Sequence, residues 1–315
     1  MLRRLSLLLA ALPLLLPAAE VSKGVTARNV TTVTFRSEAL NSDRIFNLIL
    51  PMDYQQSTRR YPVLYLLHGL GDDHTAWSLM TNVASYASRH GIIIVMPDAS
   101  RSWYVNSAAT PAAKFEDSII KDLIPFIDSH YRTVPLRRAR AVAGLSMGGY
   151  GAMFLGLKHS GIFAAIGAFS GALSISHGTP LPTPPNQTEE ARRRNEQMMA
   201  LFGPPDSTAR KDRDPFALLD KVPHGQIPTL YIACGGQDFL IQHNRDFVAL
   251  LAEKKIPYEY REISPRVHSW DFWDDQIEIF LNLLGRTPGF PMGPGGPLPM
   301  PQPMQPMQPQ PQPRD

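Results

Sequence analysis

Short apolar runs recur along most of this chain, and segments with helical spacing lie between them. The runs are Val30 to Phe35, Ile45 to Leu50, Val63 to Leu67, Ile92 to Met96, Ala139 to Ala143, Ala164 to Phe169, Thr229 to Cys234 and Tyr258 to Ile263. The helical patterns are Ala76 to His90, Lys114 to His130, Met147 to His159, His243 to Lys254 and Asp271 to Leu284. Most runs are apolar throughout rather than alternating, as expected of strands covered on both faces. Such alternation predicts a doubly wound α/β fold: a mostly parallel central sheet with helices on both faces, opened by an antiparallel pair. In these sheets ligands bind beyond the carboxyl ends of the strands, so the residues just after each run matter most.

Both ends differ from this body. Met1-Leu-Arg-Arg precedes an apolar stretch, Leu5 to Leu16, and then Pro17-Ala18-Ala19. A basic start, a short apolar core and small residues predict a signal peptide over residues 1–19 and a secreted or periplasmic protein. The stretch is too short for stable membrane insertion. At the other end, 11 of the 30 prolines lie from Pro288 onward, among Met, Gln and Gly. That composition cannot offset its ordering entropy, so residues 287–315 are expected to be a disordered, polyproline-like tail. One catalytic domain remains, residues 20–286. Gly178 to Pro185 carries four prolines and precedes a polar helical pattern, Glu189 to Leu201, which predicts a lid or insertion at about 172–215.

Charge and cysteine content exclude several classes. The net charge is +3, and loss of Arg3 and Arg4 with the leader would leave about +1, so no nucleic-acid partner is expected. Cys234 is the only cysteine, which rules out an internal disulfide and a cysteine zinc site. Asp72, Asp73 and His74 lack metal-ligand spacing, so neither metal nor cofactor is expected. Oligomeric state is not legible.

The chemistry concentrates at the strand ends. Gly144-Leu-Ser146-Met-Gly148 lies between a strand and a helix. A sharp strand-to-helix turn needs glycines beside it and lifts the Ser146 hydroxyl clear of the sheet. Such a serine needs a base, and the base needs an orienting acid, each after a later strand. Asp238 follows Thr229 to Cys234, and His268 follows Tyr258 to Ile263. In this reading Asp238 fixes the tautomer of His268, and His268 takes the Ser146 proton. Asp271 is a rival acid, placed instead at the opening of the last helix. The developing oxyanion would be held by the backbone N–H groups of Met147 and Leu70, the latter in the loop His68-Gly69-Leu70-Gly71. His68 is read as structural. Trp103, Tyr104 and Trp270 are candidate substrate-binding residues.

Six segments occur in order: LYLLHGLGDDHTAW (64–77), VMPDASRSWY (95–104), DLIPFIDSHYRT (122–133), GLSMGGYGA (144–152), CGGQDFL (234–240) and HSWDFWDDQI (268–277). Together they resemble the esterase D branch of the α/β-hydrolases. That branch holds tributyrin-type and acetyl esterases, feruloyl esterases, S-formylglutathione hydrolases and mycolyltransferases. The resemblance spans about residues 30 to 285 and implies an α/β-hydrolase fold with the triad on Ser146, Asp238 and His268. CGGQDFL and HSWDFW are nearest the tributyrin and acetyl esterase type. The mycolyltransferases tend to carry glutamate as the acid, and Asp238 leans away from them.

The expected activity is therefore that of a serine carboxylesterase acting on short-chain acyl or aryl esters, small-molecule or carbohydrate-linked, acetyl and feruloyl groups included. Two alternatives stand: an acyltransferase of the mycolyltransferase-like type, and a non-enzymatic esterase-like adhesion module.

Overall fold

The computed structural model describes residues 23–27, 29–177 and 188–292. Residues 1–22, 28, 178–187 and 293–315, which hold the expected leader, the proline cluster and most of the expected tail, lie outside the described residues.

Among the described residues nine strands form one sheet, in the order β1-β2-β3-β5-β4-β6-β7-β8-β9. They are β1 (Lys23–Ala27), β2 (Val30–Ser37), β3 (Ser42–Ile49), β4 (Val63–Leu67), β5 (Ile93–Pro97), β6 (Arg140–Leu145), β7 (Ala165–Phe169), β8 (Thr229–Gly235) and β9 (Glu259–Ile263). The first three run antiparallel, with β3 against β5, and the remaining pairings are parallel. This is the mostly parallel sheet, opened by antiparallel strands, that the apolar runs predicted. β1 was not anticipated, because its five residues contain no apolar run.

The helices are α1 (Ala76–Met80), α2 (Val83–His90), α3 (Phe115–Asp117), α4 (Ile124–His130), α5 (Met147–Lys158), α6 (Glu189–Phe202), α7 (Thr208–Lys211), α8 (Pro215–Leu219), α9 (Ile241–Glu253) and α10 (Trp270–Arg286). Strand periodicity sorts them onto two faces. Val63, Tyr65 and Leu67 of β4 join a core with Met153 of α5 and Phe247 of α9. Leu64 and Leu66 join a second core with Trp77, Val83 and Phe280. Each fully buried large apolar side chain contributes about 1.5–3 kcal/mol, so burial on both faces is what fixes the sheet.

Two expected helices are interrupted. The Ala76 to His90 pattern breaks at Thr81, whose backbone is extended, and at Asn82, whose N–H and Nδ2 donate to the Asp274 carboxylate at 2.9 and 2.7 Å. A tertiary contact outweighs the local pattern there. The Lys114 to His130 pattern passes through a π segment, Ser118–Leu123, where the Ile124 N–H reaches Ile119 O. Pro125 has no N–H to give to the preceding turn, which loosens the regular ladder. Within the expected insertion α7 is a short helix capped by Ser207, and α8, which begins at its far end, is capped by Asp214. The tail boundary expected at 287 falls within packed chain: Phe290 is only 7% exposed and joins the second core.

Candidate active site

The strands β6 and β7 end level with each other, and β8 and β9 run two residues further, to Gly235 and Ile263. Leu145 pairs with Phe169, Phe169 with Ala233, and Ala233 with Arg261. The loops that leave these ends carry the residues singled out from sequence.

Ser146 follows β6 as the N-cap of α5, at φ 53° and ψ −113°. Positive φ is rare for a side-chain-bearing residue and costs about 1–3 kcal/mol, which surrounding structure must supply. Its N–H donates to Phe169 O at 2.9 Å, and its carbonyl accepts from Tyr150 and Ala172 N–H, both at 3.1 Å. Two glycines make the turn possible. A Cβ on Gly144 would lie 2.5 Å from Gly148 O, and one on Gly148 would lie 2.4 Å from Leu67 O. Backbone therefore crosses backbone at the points where the sequence places glycine.

Asp238 lies just past β8 and His268 past β9. His268 Nδ1 and Asp238 Oδ2 are 2.8 Å apart, and the Asp238 side chain is fully buried. Asp238 Oδ1 accepts from Leu240 N–H at 2.8 Å. Burial pushes the Asp238 carboxyl up, but hydrogen bonds from His268, Ser170 and the Leu240 amide outweigh it, and the net direction is down. The carboxylate stays ionised and therefore accepts from the Nδ1–H of His268, which turns the Nε2 edge of the ring away from Asp238. The structure brings these two together. The Ser146 hydroxyl makes no hydrogen bond among the described residues, to His268 or otherwise. Asp271 turns elsewhere, to Arg266 and Ser269 in the first turn of α10.

The β4 loop lies against the Ser146 turn. A Cβ on Gly69 would stand 3.7 Å from Ser146 Cβ. The Leu70 N–H has no partner among the described residues. Met147, first residue of α5, has an N–H with no intrahelical acceptor. Beneath the loop, His68 Nδ1 bonds Gly69 O at 2.8 Å and Nε2 accepts from Ala99 N–H at 3.0 Å. Burial pushes the His68 pKa down. Both ring nitrogens are thus committed to backbone, and the neutral ring props the loop. Asp72 accepts from Gly69 N–H at 3.2 Å.

Trp103 and Tyr104 both have positive φ, 55° and 60°. Tyr104 is fully buried and donates to His68 O at 2.9 Å. Trp103 is 6% exposed, packs on Tyr150 and Phe202, and its buried indole N–H has no partner among the described residues. Trp270 packs edge-on against Trp77 and Trp273, at 5.5 and 5.1 Å between ring centres.

Three residues escaped the sequence reading. Phe239, 74% exposed, lies 4.6 Å from the His268 ring. Trp273 meets the same ring edge-on at 4.8 Å, and its indole N–H donates to Ser170 Oγ at 3.0 Å. Ser170 begins the loop after β7, a strand end like the others. Chemically, a buried carboxylate on one imidazole nitrogen leaves the other able to take a proton from a hydroxyl. Two unpartnered amides beside a strained serine can receive a negative oxygen.

The family model described as a putative esterase matches residues 37–281. An acetyl esterase of Caldicellulosiruptor saccharolyticus is 30% identical over 257 residues, covering 79% of this chain and 95% of that protein. An endo-1,4-β-xylanase/feruloyl esterase of Xylanibacter ruminicola is 33% identical over 162 residues, 47% of this chain and 22% of that protein. Among solved structures, the fluorophosphonate-binding serine hydrolase F of Staphylococcus aureus superposes with a TM-score of 0.69 at 26% identity, covering 81% of this chain and 97% of that one.

Proposed function

Since the chain belongs to this esterase family, and is with it a carboxylic-ester hydrolase, we propose that it cleaves short acyl or aryl esters through an acyl-enzyme on Ser146. The observation that carries this reading is the 2.8 Å Asp238–His268 pair, set at the same carboxyl end of the sheet as the strained Ser146 turn. Ser146 Oγ attacks the ester carbonyl while His268 Nε2 takes its proton. Asp238 holds the Nδ1–H tautomer and stabilises the imidazolium. The Leu70 and Met147 amides receive the oxyanion. His268 then gives its proton to the leaving alcohol, and water repeats the sequence to release the acid and restore the Ser146 hydroxyl.

Acetyl and feruloyl groups on carbohydrate are the proposed substrates, in keeping with the names of the relatives above. Trp103 supports a substrate-facing wall, because its strained backbone and unpartnered indole N–H lie beyond the end of β5. We also propose export with removal of residues 1–19, which rests on the sequence pattern alone. No helix among the described residues is long and apolar enough to cross a membrane. The test is hydrolysis of nitrophenyl esters over a range of acyl lengths. Wild type should favour short chains, and Ser146→Ala should lose at least about a thousandfold in kcat. Equal rates for the two proteins would overturn the reading. Competition between water and glycerol as acceptor separates a hydrolase from an acyltransferase.

A further inference from the structure

Consecutive carbonyls of the β4 loop are each held by a donor, and the last of them shares its peptide with the Leu70 N–H. Leu67 O accepts the Trp77 indole N–H at 3.0 Å. His68 O accepts the Tyr104 hydroxyl at 2.9 Å, and no backbone N–H among the described residues reaches that carbonyl. Gly69 O accepts from His68 Nδ1 at 2.8 Å and from Asp72 N–H at 3.3 Å. In a trans peptide the N–H points opposite to the C=O, so the bonds to Gly69 O set the direction of the Leu70 N–H. The Tyr104 ring also meets the helix that follows Ser146. A Cβ on Gly151 would lie 2.4 Å from Tyr104 Cδ2, so the ring rests directly on the α5 backbone, about one turn past Met147. Tyr104 itself is fixed at φ 60°, with its N–H on Ser102 Oγ at 3.1 Å. The turn from Ala99 to Tyr104 thus holds His68 twice, by the Ala99 N–H on its ring and by the Tyr104 hydroxyl on its carbonyl.

We propose that Tyr104 is a positioning residue for the oxyanion site: its hydroxyl holds the β4 loop and its ring holds α5, which together set the spacing of the Leu70 and Met147 amides. The inference rests on the reading of Ser146 and of those two amides given above. The sequence places Tyr104 among the substrate-binding candidates. Fully buried, its side chain offers a ligand no surface and acts through the backbone it touches. Burial pushes the phenol well above the ordinary tyrosine range, so the hydroxyl stays a donor. Phenylalanine in its place keeps the ring against Gly151 and removes only the bond to His68 O. The released carbonyl turns with its peptide, and the Leu70 N–H tilts with it through Gly69. That tilt matters where negative charge develops on the substrate oxygen, and little where the ester first binds.

Tyr104→Phe and Gly151→Ala are compared with wild type and Ser146→Ala on a short-chain nitrophenyl ester, with thermal unfolding as the folding control. Gly151→Ala disturbs the same contact from the helix side and keeps the test open if Tyr104→Phe does not fold. A trifluoromethyl ketone of matching acyl length reads the oxyanion site directly. Ser146 Oγ adds to its carbonyl carbon, His268 takes the hydroxyl proton, and the former carbonyl oxygen becomes the anion between the two amides. In each folded variant kcat should fall about tenfold with KM within about twofold, short of the roughly hundredfold loss on deleting an oxyanion donor outright. The inhibition constant of the ketone should rise by the same factor of about ten. The acid limb of the kcat/KM profile should stay in place, since the Asp238–His268 pair is untouched. Either variant, folded and with wild-type kcat and ketone affinity, overturns the proposal while leaving the Ser146 reading intact. So does a fall in kcat that comes with a moved acid limb and unchanged ketone affinity. Activity that survives Ser146→Ala overturns both.

Discussion

Gly148→Ala puts one methyl group where the β4 loop crosses the Ser146 turn. The added Cβ would lie 2.4 Å from Leu67 O and 2.7 Å from His68 O, both backbone atoms with no side-chain freedom to yield. Reaching an ordinary contact of 3.4 Å requires the β4 loop and the Ser146 turn to part by about 1 Å. Overpacking of this kind costs about 1–3 kcal/mol, but alanine recovers about 1 kcal/mol over glycine inside a helix. The net loss of stability is then at most about 2 kcal/mol, a fall in Tm of a few degrees. Activity should suffer more. The Leu70 amide rides on the displaced loop, and a shift of about 1 Å at reacting groups costs about a hundredfold. The assay is kcat on a short-chain nitrophenyl ester beside Tm, with Gly161→Ala as control because nothing lies within 4 Å of that position. A folded Gly148→Ala with wild-type kcat would show that the Leu67–Leu70 loop does not participate in the chemistry.

Asp238→Asn should reduce kcat by about ten-thousandfold through the wrong histidine tautomer, while Asp271→Asn stays near wild type; the reverse order in steady-state assays would move the acid to Asp271. Glu116 is buried with Lys158 and His159 at 2.9 and 2.8 Å, and burial pushes its carboxyl up while those partners pull it further down. Because its folded pKa is depressed, its contribution is present above the unfolded value of about 4.3 and fades as pH falls through the lower folded one. Glu116→Gln should therefore cost about 2 kcal/mol at pH 7, and the gap in thermal stability should close in acid. Ending the chain at Thr287 rather than Met292 removes buried Phe290 and should lower stability by about 3 kcal/mol, read by urea unfolding of the two truncated forms.

Much of the sheet was readable because strands buried on both faces must be apolar at every position. β4 was located to the residue, since Val63 to Leu67 is bounded by Pro62 and His68. The helix breaks were not readable, because they depend on Asp274 reaching Asn82 across nearly two hundred residues. Glycine spacing and strand ends singled out Ser146, Asp238 and His268, and the structure brings Asp238 and His268 into contact. Ser170 obeys the same strand-end rule, but a serine after an apolar run carries no motif. Its positive φ and its bond to Trp273 exist only once α10 docks on the sheet. The π segment before Pro125 shows the opposite case, a local chemical cause visible in sequence whose backbone outcome was not.

The proposed chemistry requires a covalent acyl group at Ser146. Rapid mixing of the enzyme with an excess of a nitrophenyl ester whose acyl group is slow to leave, followed by mass analysis of the quenched protein, measures it directly. The expected result is a burst of nitrophenol near one equivalent and an acyl adduct on the peptide that contains Ser146, both missing in Ser146→Ala. Steady release with no burst and an unmodified Ser146 peptide, or an adduct on another residue, would contradict the mechanism.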